Sequence, residues 1–132
     1  IIQINSVAGL IGYQKNFAYC GSKFGALGLT ECFAKELLPY RIKVNAICPG
    51  NYYDGPLWSD PEKGLFIQYL KAGKIPGGKT VQDAIDYYMQ KEPLHRGCTA
   101  EDIAQAVLYC LVQQFETGVY IPVTGGLAMG FV

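Results

Sequence analysis

No stretch of this 132-residue sequence approaches the roughly 20 consecutive apolar residues that a membrane-spanning helix needs. Nor is there a surplus of charge. Lys and Arg number 11 and Asp and Glu number 11, so nothing in the electrostatics favours nucleic acid or an anionic membrane as partner. The start, "IIQINSVAGL", has no Met, no basic leader and no cleavage site. It predicts a chain whose beginning is missing, without a secretory signal. There is no C-x-x-C, and the five cysteines (Cys20, Cys32, Cys48, Cys98, Cys110) are odd in number and irregular in spacing. That argues against a disulfide framework and predicts small buried thiols in a reducing, cytoplasmic setting. With His95 as the single histidine, no metal site is expected. Finally, no G-x-G-x-x-G follows a strand, so the usual glycine cradle for a dinucleotide pyrophosphate is absent. "GKIPGGK" (73–79) does not replace it, because no strand precedes it.

Half of the residues are hydrophobic, which suits a single globular unit, residues 1–132. "IIQIN" (1–5) reads as a strand buried on both faces. "VAGLIGYQKN" reads as a loop. Residues 17–38 turn helical, with Pro39 where that helix should close. "RIKVNAI" (41–47) is a second strand, followed by irregular Gly, Pro and Asp in 51–60. A helix is predicted over 61–72, capped by Ser59 or Asp60 with Pro61 in its first turn. Another covers 80–91, with Thr80 as cap and Asp83 three residues on. A third covers 99–114, capped by Thr99, with Ile103, Ala106, Val107, Cys110 and Leu111 on one face. "GVYIPVTGG" supplies the last strand. Alternating strands and helices predict an α/β fold with a parallel sheet. The odd element is the long excursion 51–98, in the position where α/β proteins build ligand pockets.

Ser6 closes the first strand, Tyr19 opens the long helix and Lys23 follows four residues later. Positions four apart share a helix face. A free phenol titrates near pH 10, and a neighbouring cation favours the phenolate. A hydroxyl from Ser6 would complete a trio suited to moving a proton at an alcohol or carbonyl oxygen. Taken alone, Tyr-x-x-x-Lys is better read as a packed aromatic beside a solvated lysine. The company it keeps, "SVAG" after one strand and "VNAICPG" at the end of the next, reverses that balance.

Those stretches, with "YCGSKFGALGLT", "PLHRGCTAEDIAQAVLY" and "TGVYIPVTGG", resemble the carboxyl-terminal half of the short-chain dehydrogenase/reductase family. The resemblance runs from one end of the sequence to the other. Within the family, "NYYDGPLW", "YYMQKEPLHRGC" and "IPVTGGLAM" are most similar to its sorbitol-6-phosphate 2-dehydrogenases. The resemblance implies a partial Rossmann-like, doubly wound sheet of three strands with flanking helices, and 51–98 as a helical substrate-binding insertion. Tyr19 would be the general acid/base, Lys23 its activator and a ligand of the nicotinamide ribose, and Ser6 the holder of the substrate oxygen. Ile4 and Asn5 would lie under the nicotinamide. Pro49, Gly50, Asn51 and Tyr52 would run along it with a main-chain contact, Gly50 letting the backbone come close. Lys15 and Asn16 would face the substrate, and Lys71, Lys74, Lys79, Lys91, His95 and Arg96 could serve a phosphate. The cofactor would be NAD, with NADP left open, because the determinant lies outside this sequence.

Two departures from the family pattern stand out. Asp54 takes the place where many members carry a Thr that meets the carboxamide; a carboxylate accepts but cannot donate. The first half, with its pyrophosphate turn and a catalytic Asn, is missing, which predicts an open sheet edge and a chain inactive alone. The expected reaction interconverts an alcohol and a ketone, with sorbitol 6-phosphate and fructose 6-phosphate as the pair. The rival substrate is a 3-oxoacyl thioester, and the rival class a non-catalytic dinucleotide-sensing or assembly protein. The paired tyrosines 52–53 and 87–88 with Trp58 either wall a pocket or form the insertion's own core. Gly21, Gly25 and Gly28 along one helix, and the tail "LAMGFV", resemble family surfaces that pack between subunits, so a homodimer or homotetramer is expected.

Overall fold

The computed structural model of the chain describes residues 1–130, so the last two residues of the apolar tail lie outside the described residues. Three strands, β1 (Ile2–Ile4), β2 (Asn45–Pro49) and β3 (Tyr120–Val123), form one parallel sheet in the order β1-β2-β3. Ile4 pairs with Ile47, and Ile47 with Ile121. Helix α1 (Phe17–Leu37) covers one face and α5 (Ala100–Val112) the other. The side-chain period of two along β2 sorts the core accordingly. Ala46 and Cys48 pack with Val7, Leu10 and Leu27 on the α1 side. Ile47 packs with Ala106 and Cys110 on the α5 side. This is the predicted three-stranded α/β arrangement.

The capping signals place two helices well. Thr80 and Asp83 form a reciprocal capping box at the start of α4 (Val81–Lys91), and Thr99 and Asp102 form another at α5. Three boundaries move. The second strand begins at Asn45, not Arg41, because Arg41 takes a left-handed turn (φ 57°) closing the short 3-10 turn Leu38–Tyr40. Within 51–60 a short helix α2 (Pro56–Ser59) forms. Helix α3 (Leu65–Lys71) starts after Gly64, since the Asp60 carboxylate caps a turn instead, accepting from the N–H groups of Glu62 (2.9 Å) and Lys63 (2.7 Å).

Burial also corrects the sequence reading. β1 is an edge strand, and Ile1 and Ile4 are largely exposed rather than buried on both faces. Residues 7–9 of the supposed loop are a buried 3-10 turn. Leu111 points out of the core that Cys110 enters, and Cys32, unlike Cys20, Cys48 and Cys110, is exposed. Most aromatic residues of the insertion form its core, while Tyr52 stays half exposed. Tyr53 and Phe66 are buried with Ile75 and Ala84, and Trp58, Tyr87 and Tyr88 pack against them. No helix among the described residues is long and apolar enough to cross a membrane.

Candidate functional site

The residues that end β1 meet the first turns of α1. Asn5 continues the sheet, its N–H donating to Ile47 O at 2.7 Å. Its side-chain amide donates to Lys23 O at 3.1 Å and to Gln3 Oε1 at 3.3 Å. That fastens the strand end to the helix. Gly9 makes the approach possible: a Cβ there would stand 2.9 Å from Asn5 Oδ1 and 3.1 Å from Lys23 O. The sequence reading did not single out Gly9. Its signal is the "SVAG" spacing, which brings a side-chain-free residue back over the helix. Asn5 Oδ1 is itself buried without a partner among the described residues.

On this frame Lys23 Nζ lies 3.5 Å from Asn5 O and 5.6 Å from the centroid of the Tyr19 ring. Ser6 caps the 3-10 turn, its Oγ accepting from Ala8 N–H at 3.1 Å. That bond uses a lone pair and leaves the hydroxyl proton free to donate elsewhere. The Cys48 thiol lies close by on β2. Burial pushes it up to about 11, while a backbone hydrogen bond with Ser6 and the charge of Lys23 pull the other way. Cys48 is thus a neighbour of the trio that sequence spacing did not indicate. Asn5, Tyr19 and Lys23 therefore come together, with Ser6 next to Asn5 in the chain, and Tyr19 is half exposed. Lys15, in a left-handed conformation (φ 59°), and Asn16 occupy the exposed link into α1.

The loop after β2 is more committed internally than expected. Gly50 N–H donates to Val123 O at 2.9 Å, and a Cβ on Gly50 would stand 3.3 Å from the backbone of Thr124. The close approach that Gly50 permits here is thus to β3, within the protein itself. The Asn51 carbonyl accepts from Cys98 N–H at 2.8 Å, and the Asn51 amide donates to the Glu92 carboxylate at 2.8 Å. Tyr52 is half exposed, Ile4 likewise at the edge of β1, and Asp54 exposed. A cavity of about 220 Å³ opens at the carboxyl ends of β2 and β3, lined by Gly50, Asn51, Glu92, Arg96 and Thr124 among others. Several cations of the insertion are already partnered. Lys74 sits 4.4 Å over the Tyr69 ring, Lys91 4.0 Å over Tyr87, and Arg96 pairs with Asp102 at 2.6 Å. No cluster of three His, Cys, Asp or Glu side chains suited to a metal occurs among the described residues.

The sequence pattern of the short chain dehydrogenases matches residues 1–59, the segment that carries this trio and the Pro49-Gly50 loop. A curated relative, sorbitol-6-phosphate 2-dehydrogenase of Escherichia coli, is 36% identical over 131 residues, covering 98% of this chain and 48% of its own length. Over nearly its whole length the chain is similar to members of the short-chain dehydrogenase/reductase family. Crystallised sorbitol-6-phosphate 2-dehydrogenase from Erwinia amylovora superposes with a TM-score of 0.83 at 36% identity, over 98% of this chain and 48% of that one. A 3-oxoacyl-[acyl-carrier-protein] reductase of Thermotoga maritima is 30% identical, over 98% of this chain and 45% of its own length. The chain spans about half the length of the curated relatives it matches. Among further similar structures, a carveol dehydrogenase of Mycobacterium avium (29% identical, TM-score 0.77) was solved with NAD. A polyketide ketoreductase (26% identical, TM-score 0.77) was solved with NADPH.

Proposed function

We propose that this chain carries the proton-transfer and nicotinamide-facing half of an NAD(P)-dependent oxidoreductase that interconverts an alcohol and a ketone. The observation that carries the proposal is the pairing of Tyr19 with Lys23 on α1, the ammonium 5.6 Å from the centroid of the phenol ring, against the β1 end that carries Asn5 and Ser6. In alcohol oxidation the Tyr19 oxygen takes the hydroxyl proton as the carbon gives up its hydride. The Lys23 charge stabilises the negative charge on that oxygen, and the free proton of Ser6 donates to the substrate oxygen. In the reverse direction Tyr19 returns the proton to the forming alkoxide. The cofactor, when bound, accepts or supplies the hydride.

The donor set fits the ribose and nicotinamide end of such a cofactor. Lys23 spends one long bond, 3.5 Å, on Asn5 O, which leaves ammonium protons for ribose hydroxyls. Asn5 Oδ1 is an unpartnered buried acceptor under Gly9, on the residue whose backbone carbonyl Lys23 reaches. Residues 49–52 supply backbone at the same end of the sheet. Pyrophosphate binding belongs, in this reading, to the part of the relatives' length that this chain does not span. NAD is preferred over NADP on resemblance alone.

For the substrate, likeness to the sorbitol-6-phosphate 2-dehydrogenases supports sorbitol 6-phosphate and fructose 6-phosphate. The match to a 3-oxoacyl-thioester reductase supports the second reading. A cytoplasmic homodimer or homotetramer acting on a small molecule, without nucleic acid or membrane, completes the proposal. A non-catalytic dinucleotide-sensing or assembly role has no use for Ser6, Tyr19 and Lys23 at this sequence spacing.

The test uses the family-length protein that contains this sequence. NADH oxidation is followed with fructose 6-phosphate and with an acetoacetyl thioester, in wild type and Tyr19→Phe. Turnover with the sugar phosphate is expected. Tyr19→Phe should lower kcat by about 100-fold or more while cofactor affinity survives. Turnover with the thioester alone discards the sugar, and unchanged turnover in Tyr19→Phe discards the mechanism.

A further inference from the structure

The insertion leaves the sheet at Asn51 and returns at Cys98, and one buried carboxylate holds both ends of its neck. Glu92 is 4% exposed, rare for a glutamate and costly unless its oxygens are satisfied. Its Oε1 accepts from the Asn51 amide at 2.8 Å and, in a short hydrogen bond, from the Tyr53 hydroxyl. The Asn51 amide also lies 3.2 Å from Tyr53 Oη, so the three side chains close on one another. Glu92 belongs to the returning end, its carbonyl accepting from His95 N–H at 2.8 Å, and the Asn51 carbonyl takes Cys98 N–H at 2.8 Å. Burial, then the hydrogen bond to Glu92, raises the Tyr53 phenol well above its usual range, so it remains a donor. Tyr53 is also the buried centre of the insertion's aromatic core, edge-on to Trp58 at 4.9 Å.

We infer that Glu92 is a positioning residue: it clasps the neck of the insertion and thereby sets the loop Gly50–Asn51–Tyr52 that follows β2. Gly50 is held from the other side by Val123 O. With that end fixed, the placement of Asn51 and Tyr52 depends on the Glu92 clasp together with the bond from Cys98 N–H to the Asn51 carbonyl. The role rests on the dehydrogenase reading, which assigns this loop to the nicotinamide end of the cofactor. Glu92 itself touches no reacting atom in this account. It acts through Asn51 and Tyr53, where removing the shared acceptor strands the buried Tyr53 hydroxyl and takes one bond from the half-buried Asn51 amide.

The test compares binding of NADH and of ADP-ribose, which lacks the nicotinamide, by calorimetry on the family-length protein. Glu92→Ala should weaken NADH by about tenfold or more, the scale on which small misplacements act, and leave ADP-ribose unchanged. Glu92→Gln keeps an acceptor oxygen for both donors and should restore NADH binding. Tyr53→Phe removes one arm of the clasp and should weaken NADH in the same direction but less, which provides a milder variant if Glu92→Ala does not fold. Equal losses for both ligands in Glu92→Gln and Tyr53→Phe, or no loss in any variant, overturn the inference while the dehydrogenase reading stands. A wild type that binds neither NADH nor ADP-ribose overturns both.

Discussion

At the scale of single residues, the chemistry rests on short-range geometry that begins in the sequence. Tyr19 and Lys23 share a face because they are four apart on α1, and that much is legible from spacing. Which backbone Lys23 reaches is not. Its contact with Asn5 O depends on Gly9 letting the 3-10 turn settle against the helix, a tertiary fact. Glu92 is a harder case still. A glutamate before a proline in a polar connector gives no sign of burial, since its partners Asn51 and Tyr53 lie about 40 residues upstream. The Thr99–Asp102 capping box is the opposite, wholly local and readable. Asp102 is held below its ordinary value of 3.8, first by the Arg96 guanidinium and then by the Thr99 N–H. A depressed carboxylate contributes stability above its unfolded value, and that contribution fades as pH falls through the folded one. Thr99→Ala should therefore cost about 1 kcal/mol. Asp102→Asn should lower the urea midpoint near pH 6, with the gap to wild type closing from about pH 4 downward. Because Arg96 is exposed and Asp102 is only partly buried, salt should shrink the Arg96 share. A gap that persists at the lowest pH would show that the carboxylate charge is not its source.

At the scale of elements, periodicity and caps do better than composition. α4 and α5 begin where Thr80 and Thr99 say they should. α3 does not, because the carboxylate of Asp60 is consumed by a turn and Gly64 delays the helix. β2 starts four residues late because Arg41 leaves the helix in a left-handed turn that sequence alone does not announce. The aromatic pairs of the insertion could be read as pocket wall or as core, and long-range packing decides for core at Tyr53, Trp58, Tyr87 and Tyr88, but not at the half-exposed Tyr52. This has a testable consequence. The insertion's cluster around Tyr53 and Phe66 is separate from the two clusters that flank the sheet. Phe66→Ala, at a site 3% exposed, should cost about 3–5 kcal/mol locally. The single tryptophan, Trp58, whose ring lies 5.1 Å from Phe66, should shift its emission to the red. The buried thiols Cys20, Cys48 and Cys110 should stay unreactive toward a thiol reagent if the sheet survives this loss. Their simultaneous exposure would show instead that insertion and sheet unfold as one unit.

At the scale of the whole molecule, the described surface is unusually apolar for an isolated chain. Phe17, Phe24, Leu29 and Phe33 stand out along α1, and Leu108, Leu111, Val112 and Phe115 along and after α5. The face of α1 near Gly21, Gly25 and Gly28 has nothing within 4 Å of where a side chain would begin. Among the described residues β1 is hydrogen-bonded on one side only, to β2, and it ends in the exposed Ile4. Single exposed hydrophobic residues are ordinary, but contiguous ones and an open, uncharged strand edge are sites of association. The 132-residue chain on its own should therefore self-associate with rising concentration in sedimentation experiments. Two contributions can be separated. Ile4→Lys places a charge on the edge and should reduce association if strand pairing drives it. Phe24→Glu does the same for the helix face and should act alone if helix packing drives it. If the strand edge and the helix face act independently, the two effects should add. A chain that remains monomeric at high concentration would mean that these surfaces are tolerated by water, and the case for subunit contacts through α1 would fall with it.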